Sequence, residues 1–154
     1  MAEFNMVNKA LKASDVKIAP GKHDSGIKCI VDSYVFGAEA SIGDEYQMTK
    51  IPEGATILGA HIFAPASLGT TGIFNMGLKA YTNKDGTSVV EDDNSLVQLA
   101  DGGGQAVLKE QALGSVALHK EIGKGGAEPF LIASEATDAA TGLTIYSAVF
   151  YSLA

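Results

Sequence analysis

The stretch from Ile51 to Tyr81, IPEGATILGAHIFAPASLGTTGIFNMGLKAY, constrains the fold most, because it reads as two strands bounded by residues that cannot continue a sheet. Pro52 fixes its own φ for the first corner of a turn, and Gly54 accepts a positive φ two residues later, so a strand is expected to begin near Thr56. From there Leu58, Ala60, Ile62 and Ala64 alternate with Ile57, His61 and Phe63. Both faces are apolar, which predicts a strand covered on both sides. Pro65 and the run Gly69-Thr70-Thr71-Gly72 then break the ladder. Beyond them Phe74, Met76, Leu78 and Ala80 alternate with Asn75, Gly77, Lys79 and Tyr81, and Asn83-Lys84-Asp85-Gly86-Thr87 supplies the next turn. Two strands joined in this way predict an antiparallel sheet.

The rest of the chain repeats the pattern. Ile27 to Phe36 reads as a strand with Ile27, Cys29, Val31 and Val35 on one side and Ile30, Tyr34 and Phe36 on the other; Cys29 is expected to be a small core residue. Further strands are predicted over Glu45 to Ile51, Phe130 to Ser134 and Leu143 to Leu153, the last apolar on both faces. Leu96, Val97, Leu99 and Ala100 recur at helical spacing after the candidate N-caps Asp93 and Asn94, which predicts one short helix ended by Gly102-Gly103-Gly104. Val107 to Leu118 is irregular around Gln111-Ala112-Leu113-Gly114, with strand-like alternation at Val116 and Leu118, and Gly123 to Gly126 reads as a mobile loop. Seven or eight strands with one minor helix predict an all-β, antiparallel β-sandwich. A chain of 154 residues can bury a core as one domain. Residues 1–26 are set apart by charge: residues 1–28 hold five of the eleven lysines against three acids, and residues 29–154 hold six lysines against fifteen. We therefore divide the chain into an extended or partly helical arm, 1–26, and a sandwich, 27–154. Read functionally, the arm is a tether lying on a neighbouring subunit; read blandly, it is a disordered terminus.

Composition narrows the chemistry. The formal charge is −7 and arginine is absent, so the guanidinium fork that reads phosphate or guanine is missing, and direct nucleic-acid binding is not expected. Cys29 is the only cysteine, which excludes an internal disulfide and a cysteine-based metal cluster within one chain. No apolar run approaches the ~20 residues of a membrane span, and the N-terminus lacks the charged-then-apolar pattern of a signal peptide, so no membrane partner and no export by that route are expected. His23, His61 and His119 lie on separate segments without a second ligand at i+2 or i+4. Asp85, Glu91, Asp92 and Asp93 lack the spacing of a calcium loop; a cation in the acidic link 85–93 is left open. Gly123-Lys124-Gly125-Gly126 lacks the remainder of a phosphate loop, and no G-x-S-x-G occurs. No catalytic residue, cofactor or metal ligand is assigned.

A small domain has too little interior to cover every apolar strand face, which favours an oligomer or a part of a larger assembly. At this point the sequence resembles a family. Asp32-Ser33-Tyr34, Ile42-Gly43-Asp44, Ile51-Pro52-Glu53-Gly54-Ala55-Thr56-Ile57-Leu58-Gly59, Leu68-Gly69, Asn75-Met76-Gly77-Leu78 and Ala140-Thr141-Gly142-Leu143-Thr144-Ile145 together resemble small virion proteins of tailed bacteriophages, of the head decoration or cement type. The resemblance covers about residues 30–154 and is one of rhythm. It implies a β-sandwich of jelly-roll type and a non-enzymatic role: made in the host bacterial cytoplasm, the protein would bind the outer capsid surface, stabilise contacts between major capsid subunits and form a homo-oligomer, with a trimer favoured. Capsid or subunit contacts are expected at Phe4, Met6, Val7 and Leu11 of the arm, at Leu68, Thr70 and Thr71, and at Lys124. The alternatives are a head fibre, knob or tail component of the virion, and a carbohydrate-binding module. The absence of tryptophan weakens the last.

Overall fold

The computed structural model describes residues 3–5, 7–8, 26–101, 107–110 and 120–153. Its strands are β1 (Glu3–Asn5), β2 (Val7–Asn8), β3 (Ile27–Val35), β4 (Glu45–Gln47), β5 (Ala55–Ala64), β6 (Ile73–Leu78), β7 (Tyr81–Thr82), β8 (Ser88–Val89), β9 (Asp92–Asp101), β10 (Val107–Glu110), β11 (Pro129–Glu135) and β12 (Thr144–Leu153). They form two five-stranded sheets: sheet A in the order β1-β4-β11-β6-β9, and sheet B in the order β10-β5-β12-β3-β2, with β7 and β8 as a separate hairpin. Every pairing is antiparallel except β1 on β4. Setting β1 and β2 aside, the sheets interleave as 4-11-6-9 over 3-12-5-10, so successive strands cross repeatedly between layers. That winding is the jelly roll.

Turn chemistry places the strands. Gly54 has φ 80°, and the Ala55 amide donates to the Pro52 carbonyl at 3.3 Å, so β5 starts at the corner that Pro52 and Gly54 prescribe. Gly86, at φ 84°, donates to the Asn83 carbonyl and closes the β7–β8 hairpin. The 123–126 segment, expected to be a mobile loop, is a hydrogen-bonded turn. The Gly123 amide donates to Thr82 at 2.8 Å, and the Gly126 amide to Gly123 at 3.2 Å.

Two irregularities overturn expectations. The short helix predicted over Leu96–Ala100 is instead part of β9. Between the pairs Met76↔Val97 and Leu78↔Asp92, β6 advances two residues while β9 advances five, so β9 carries extra unpaired residues. Ser95, Leu96 and Val97 are all buried as a result, and a bulge that turns neighbouring residues inward imitates helical spacing. In β5, the register steps from Phe150↔Gly59 to Tyr151↔Ile57, leaving Leu58 over. This bulge reverses the alternation, so Ala55 and Ile57 point inward before it and Ala60, Ile62 and Ala64 after it. The apolar faces of β5 therefore reflect a change of side, and its outer face is open, with Leu58 and Phe63 each 37% exposed.

The core lies between the sheets. Phe36, Tyr46 and Phe74 pack edge-on or tilted with centroids 5.5–6.3 Å apart, above Ile57, Met76, Leu96, Leu131, Ile145 and Val149. Burial pushes the Tyr46 phenol far above its usual range. Asp32 also faces inward, 1% exposed, and is satisfied by Thr49, whose amide and hydroxyl donate to it at 2.6 and 3.3 Å. Cys29 departs from expectation: it sits half-buried on the outer face of sheet B, beside Phe150 in the register. Its thiol is pushed up by burial, as befits an unreactive group.

Candidate functional site

One end of the sandwich is built from the loops 36–44, 65–72 and 136–143, and two carboxylates tie them together. Glu39 accepts from the Thr141 hydroxyl (2.6 Å), the Ala140 amide (2.7 Å), the Thr137 hydroxyl (2.8 Å) and the Thr141 amide (3.0 Å). These bonds, the Thr141 hydroxyl first, hold its carboxyl down at about 2. Asp138 accepts from the Thr70 amide (2.6 Å) and hydroxyl (2.7 Å), which also lowers its pKa. The Thr71 hydroxyl donates to the Ala136 carbonyl at 2.8 Å. At the opposite end, Ile51 and Ala127 exchange amide bonds, and the Lys84 ammonium meets Glu121 at 2.7 Å.

The outer faces of the sheets differ. On sheet A, Lys79 donates to Glu45 (2.7 Å) and Glu91 (3.1 Å) and lies 4.3 Å from the centre of the buried Phe130 ring. Desolvation lowers the Lys79 pKa, but its two carboxylate bonds outweigh that and leave it raised. On sheet B, the outward positions of the three long strands run Ile27, Cys29, Val31, Ser33 and Val35 on β3, Tyr146, Ala148 and Phe150 on β12, and Leu58, His61 and Phe63 on β5. None of these is acidic or a lysine. His61 stacks edge-on against Phe150 at 5.2 Å, and Phe63 tilts against Tyr146 at 6.0 Å. Between them lies an open concavity of about 410 Å³ lined by Val31, His61, Phe63, Tyr146, Ala148 and Phe150.

The chain superposes on one in the capsid of Ralstonia phage GP4 with a TM-score of 0.70 at 14% identity, covering 99% of both chains. It superposes on a second, in the cyanophage Pam1 capsid, with a TM-score of 0.61 at 13% identity, covering 95% of this chain and 99% of that one. The fold is one found in phage capsids. No protein-family model and no curated protein matches the chain.

The expected contact residues scatter over this frame. Phe4 lies in β1, opposite Tyr46, and Val7 in β2, opposite Ser33; Met6 and Leu11 lie outside the described residues. Leu68 is 1% exposed, so it belongs to the packing of its loop and offers no surface. Thr70, Thr71 and Lys124 are exposed. However, the 69–72 and 123–126 loops flank opposite ends of β11, about 20 Å of strand apart, and do not form one patch. Sequence reasoning missed the Glu39 and Asp138 ties. Their signal was the turn Ala136-Thr137-Asp138-Ala139-Ala140-Thr141-Gly142, which sets two threonines and an aspartate among small residues. The acids of the 85–93 link disperse: Asp85 accepts from the Thr87 amide, Asp92 from the Asn94 amide, and Glu91 binds Lys79. Among the described residues, no group of three potential ligands gathers around a metal position. His23 and His119 lie outside the described residues.

Proposed function

We propose that this chain is a non-enzymatic structural protein of a phage virion, a cement or decoration protein that binds the outer capsid surface as a homo-oligomer, a trimer in our reading, and stabilises contacts between major capsid subunits. The observation that carries the reading is the end-to-end likeness to chains in two phage capsids, which spans nearly the whole of each chain and so is not a motif embedded in something larger. The loop ends suit that role. Carboxylate ties fix their shape in advance, so attachment costs little ordering, and many copies on a symmetric lattice multiply modest contacts. The arm, 1–26, whose Phe4 and Val7 pair at the edges of sheets A and B, serves as the added reach, while Thr70, Thr71 and Lys124 meet the shell.

Light scattering tests the assignment: the mass of the purified protein is measured before and after mixing with capsids made without it. A multimer that moves into the capsid fraction is expected. Protein that stays free would overturn the assignment and direct attention to fibre, knob or tail positions. Removing residues 1–26 takes away the edge strands β1 and β2, and should leave the remaining sandwich folded and weaken attachment. The aromatic residues of sheet B do not favour a carbohydrate module, because a sugar platform also needs hydrogen-bonding groups beside the rings, and the concavity is lined chiefly by hydrocarbon.

A further inference from the structure

We infer that the outer face of sheet B is where copies of this chain meet one another. The inference rests on the capsid reading in one respect only, that the chain must persist before it reaches a shell. Four large apolar side chains stand exposed on this face: Ile27 at 70%, Val35 at 58%, and Leu58 and Phe63 at 37% each. They surround the aromatic concavity on one continuous surface of β5, β12 and β3. A patch of this kind marks an interaction site, and a chain carrying it needs cover from the time it folds. A second copy is the partner present at that time.

Charge favours the same occupant. The chain has a formal charge of −7, so two copies meeting through most of its surface would bring carboxylates together. The outward positions of β3, β12 and β5 hold neither acid nor lysine, so copies can close there without that repulsion. A foreign partner would gain by answering acids with lysine or arginine, and the outward positions of the three long strands offer none; Glu110, opposite His61 in the register of the flanking β10, lies at the edge. Size is adequate as well. Three long strands of nine or ten residues, with β10 and β2 beside them, give a footprint on the order of 600 Å² before side-chain relief, near the roughly 800 Å² per partner of a stable interface. The face also carries both knobs and a hollow. Ile27 and Val35 project at the two ends of β3, and the concavity lies between the Phe63 and Phe150 rows, so a neighbouring copy has an anchor site to fill.

The test uses the full chain at micromolar concentration without capsids. Ala148→Glu puts a charge at the centre of the face, and Val35→Glu puts one at a position already exposed, where folding is not at risk. Val90→Glu, at a residue 79% exposed outside the face, is the control. The wild type should weigh two or more chains by light scattering, and both face variants should weaken self-association by at least about tenfold with unchanged circular dichroism. The control should keep the wild-type mass. A monomeric wild type, unchanged face variants, or equal dissociation of the control would each overturn the inference. A monomer whose sheet B face becomes protected from hydrogen exchange only on capsids would overturn it in favour of docking to the shell. Self-association that depends on this face in a protein that ignores capsids would instead refute the proposed function and leave this inference standing.

Discussion

The outer face of sheet A and the outer face of sheet B begin from similar strand sequences and end differently. On sheet A, Asn75, Gly77 and Phe130 are all buried, because the chain folds back over its own sheet: the Lys79 side chain crosses the Phe130 ring, and the bulged start of β9 lies on Gly77. On sheet B, no described residue provides comparable cover over Phe63 and Leu58. A strand that looks apolar on both faces therefore has two meanings. It is either covered by its own chain or left open.

The sharpest way to break this contrast is Gly77→Ala. A Cβ at Gly77 would overlap the carbonyl oxygen of Asp92 and the Cα and carbonyl carbon of Asp93, which are backbone atoms and cannot rotate away. The bulge would have to lift off sheet A, at a cost of about 3 kcal/mol or more, measurable as a lowered denaturant midpoint. A variant as stable as the wild type would show that β9 does not press on this face.

The Lys79 bridge is the next target. The Glu45 side chain is 5% exposed, and that of Glu91 is 49% exposed, so the two bonds of Lys79 are unequal in consequence although both are short. Glu45→Gln removes the buried countercharge and should cost about 1–2 kcal/mol, since Glu91 remains to partner the ammonium. Glu91→Gln should cost no more than about 0.5 kcal/mol, as exposed pairs do. Equal losses in urea titrations would mean that burial does not distinguish them.

These two faces also mark what was legible in the sequence. Turn chemistry was readable because its causes are local: Gly54 and Gly86 both take the positive φ that turns of their types require. The inward set of β6, Phe74, Met76 and Leu78, followed from alternation alone, whereas β12 read as apolar on both faces and only the layers show that Ile145 and Val149 point inward while Tyr146, Ala148 and Phe150 do not. Alternation failed where a bulge intervened, because a bulge is fixed by the partner strand. Leu96 and Val97 imitated a helix, and Leu58 hid the change of side in β5. Gly77 within an otherwise regular strand was the available hint of close backbone approach. The contact surface was harder to read. Glu39 lies some hundred residues from Thr137 and Thr141, a separation no local pattern reveals, and the apolar residues of sheet B resemble core residues until the layers are known.

Acid separates the loop end from both faces. Glu39 has its carboxyl held at about 2 in the folded chain, below the value it would take unfolded. Its contribution is therefore complete above the unfolded value and is lost as pH falls toward 2. The stability difference between the wild type and Glu39→Gln should be constant from pH 7 to about 5 and shrink progressively below that. Asp138, also lowered, should act in the same direction. A difference that persisted undiminished to pH 2 would mean that the Gln variant loses shape complementarity and not the carboxylate's bonds.

Gly59→Ala is the counterpart of Gly77→Ala and should have the smallest effect. Gly59 lies on β5 at the sheet B bulge, opposite Phe150, and a Cβ there would meet nothing within 4 Å. Its φ is outside the left-handed region, so alanine brings no backbone strain and removes some freedom from the unfolded chain. The dissociated chain should change by no more than about 0.5 kcal/mol, in the stabilising direction if at all. The same methyl would enter the surface proposed for contact between copies, so under that proposal its effect should appear in self-association, read by dilution, and not in unfolding of the single chain. If Gly59→Ala destabilised the single chain as much as Gly77→Ala does, the sheet B face would be covered from within, and the contrast between the two faces would be lost.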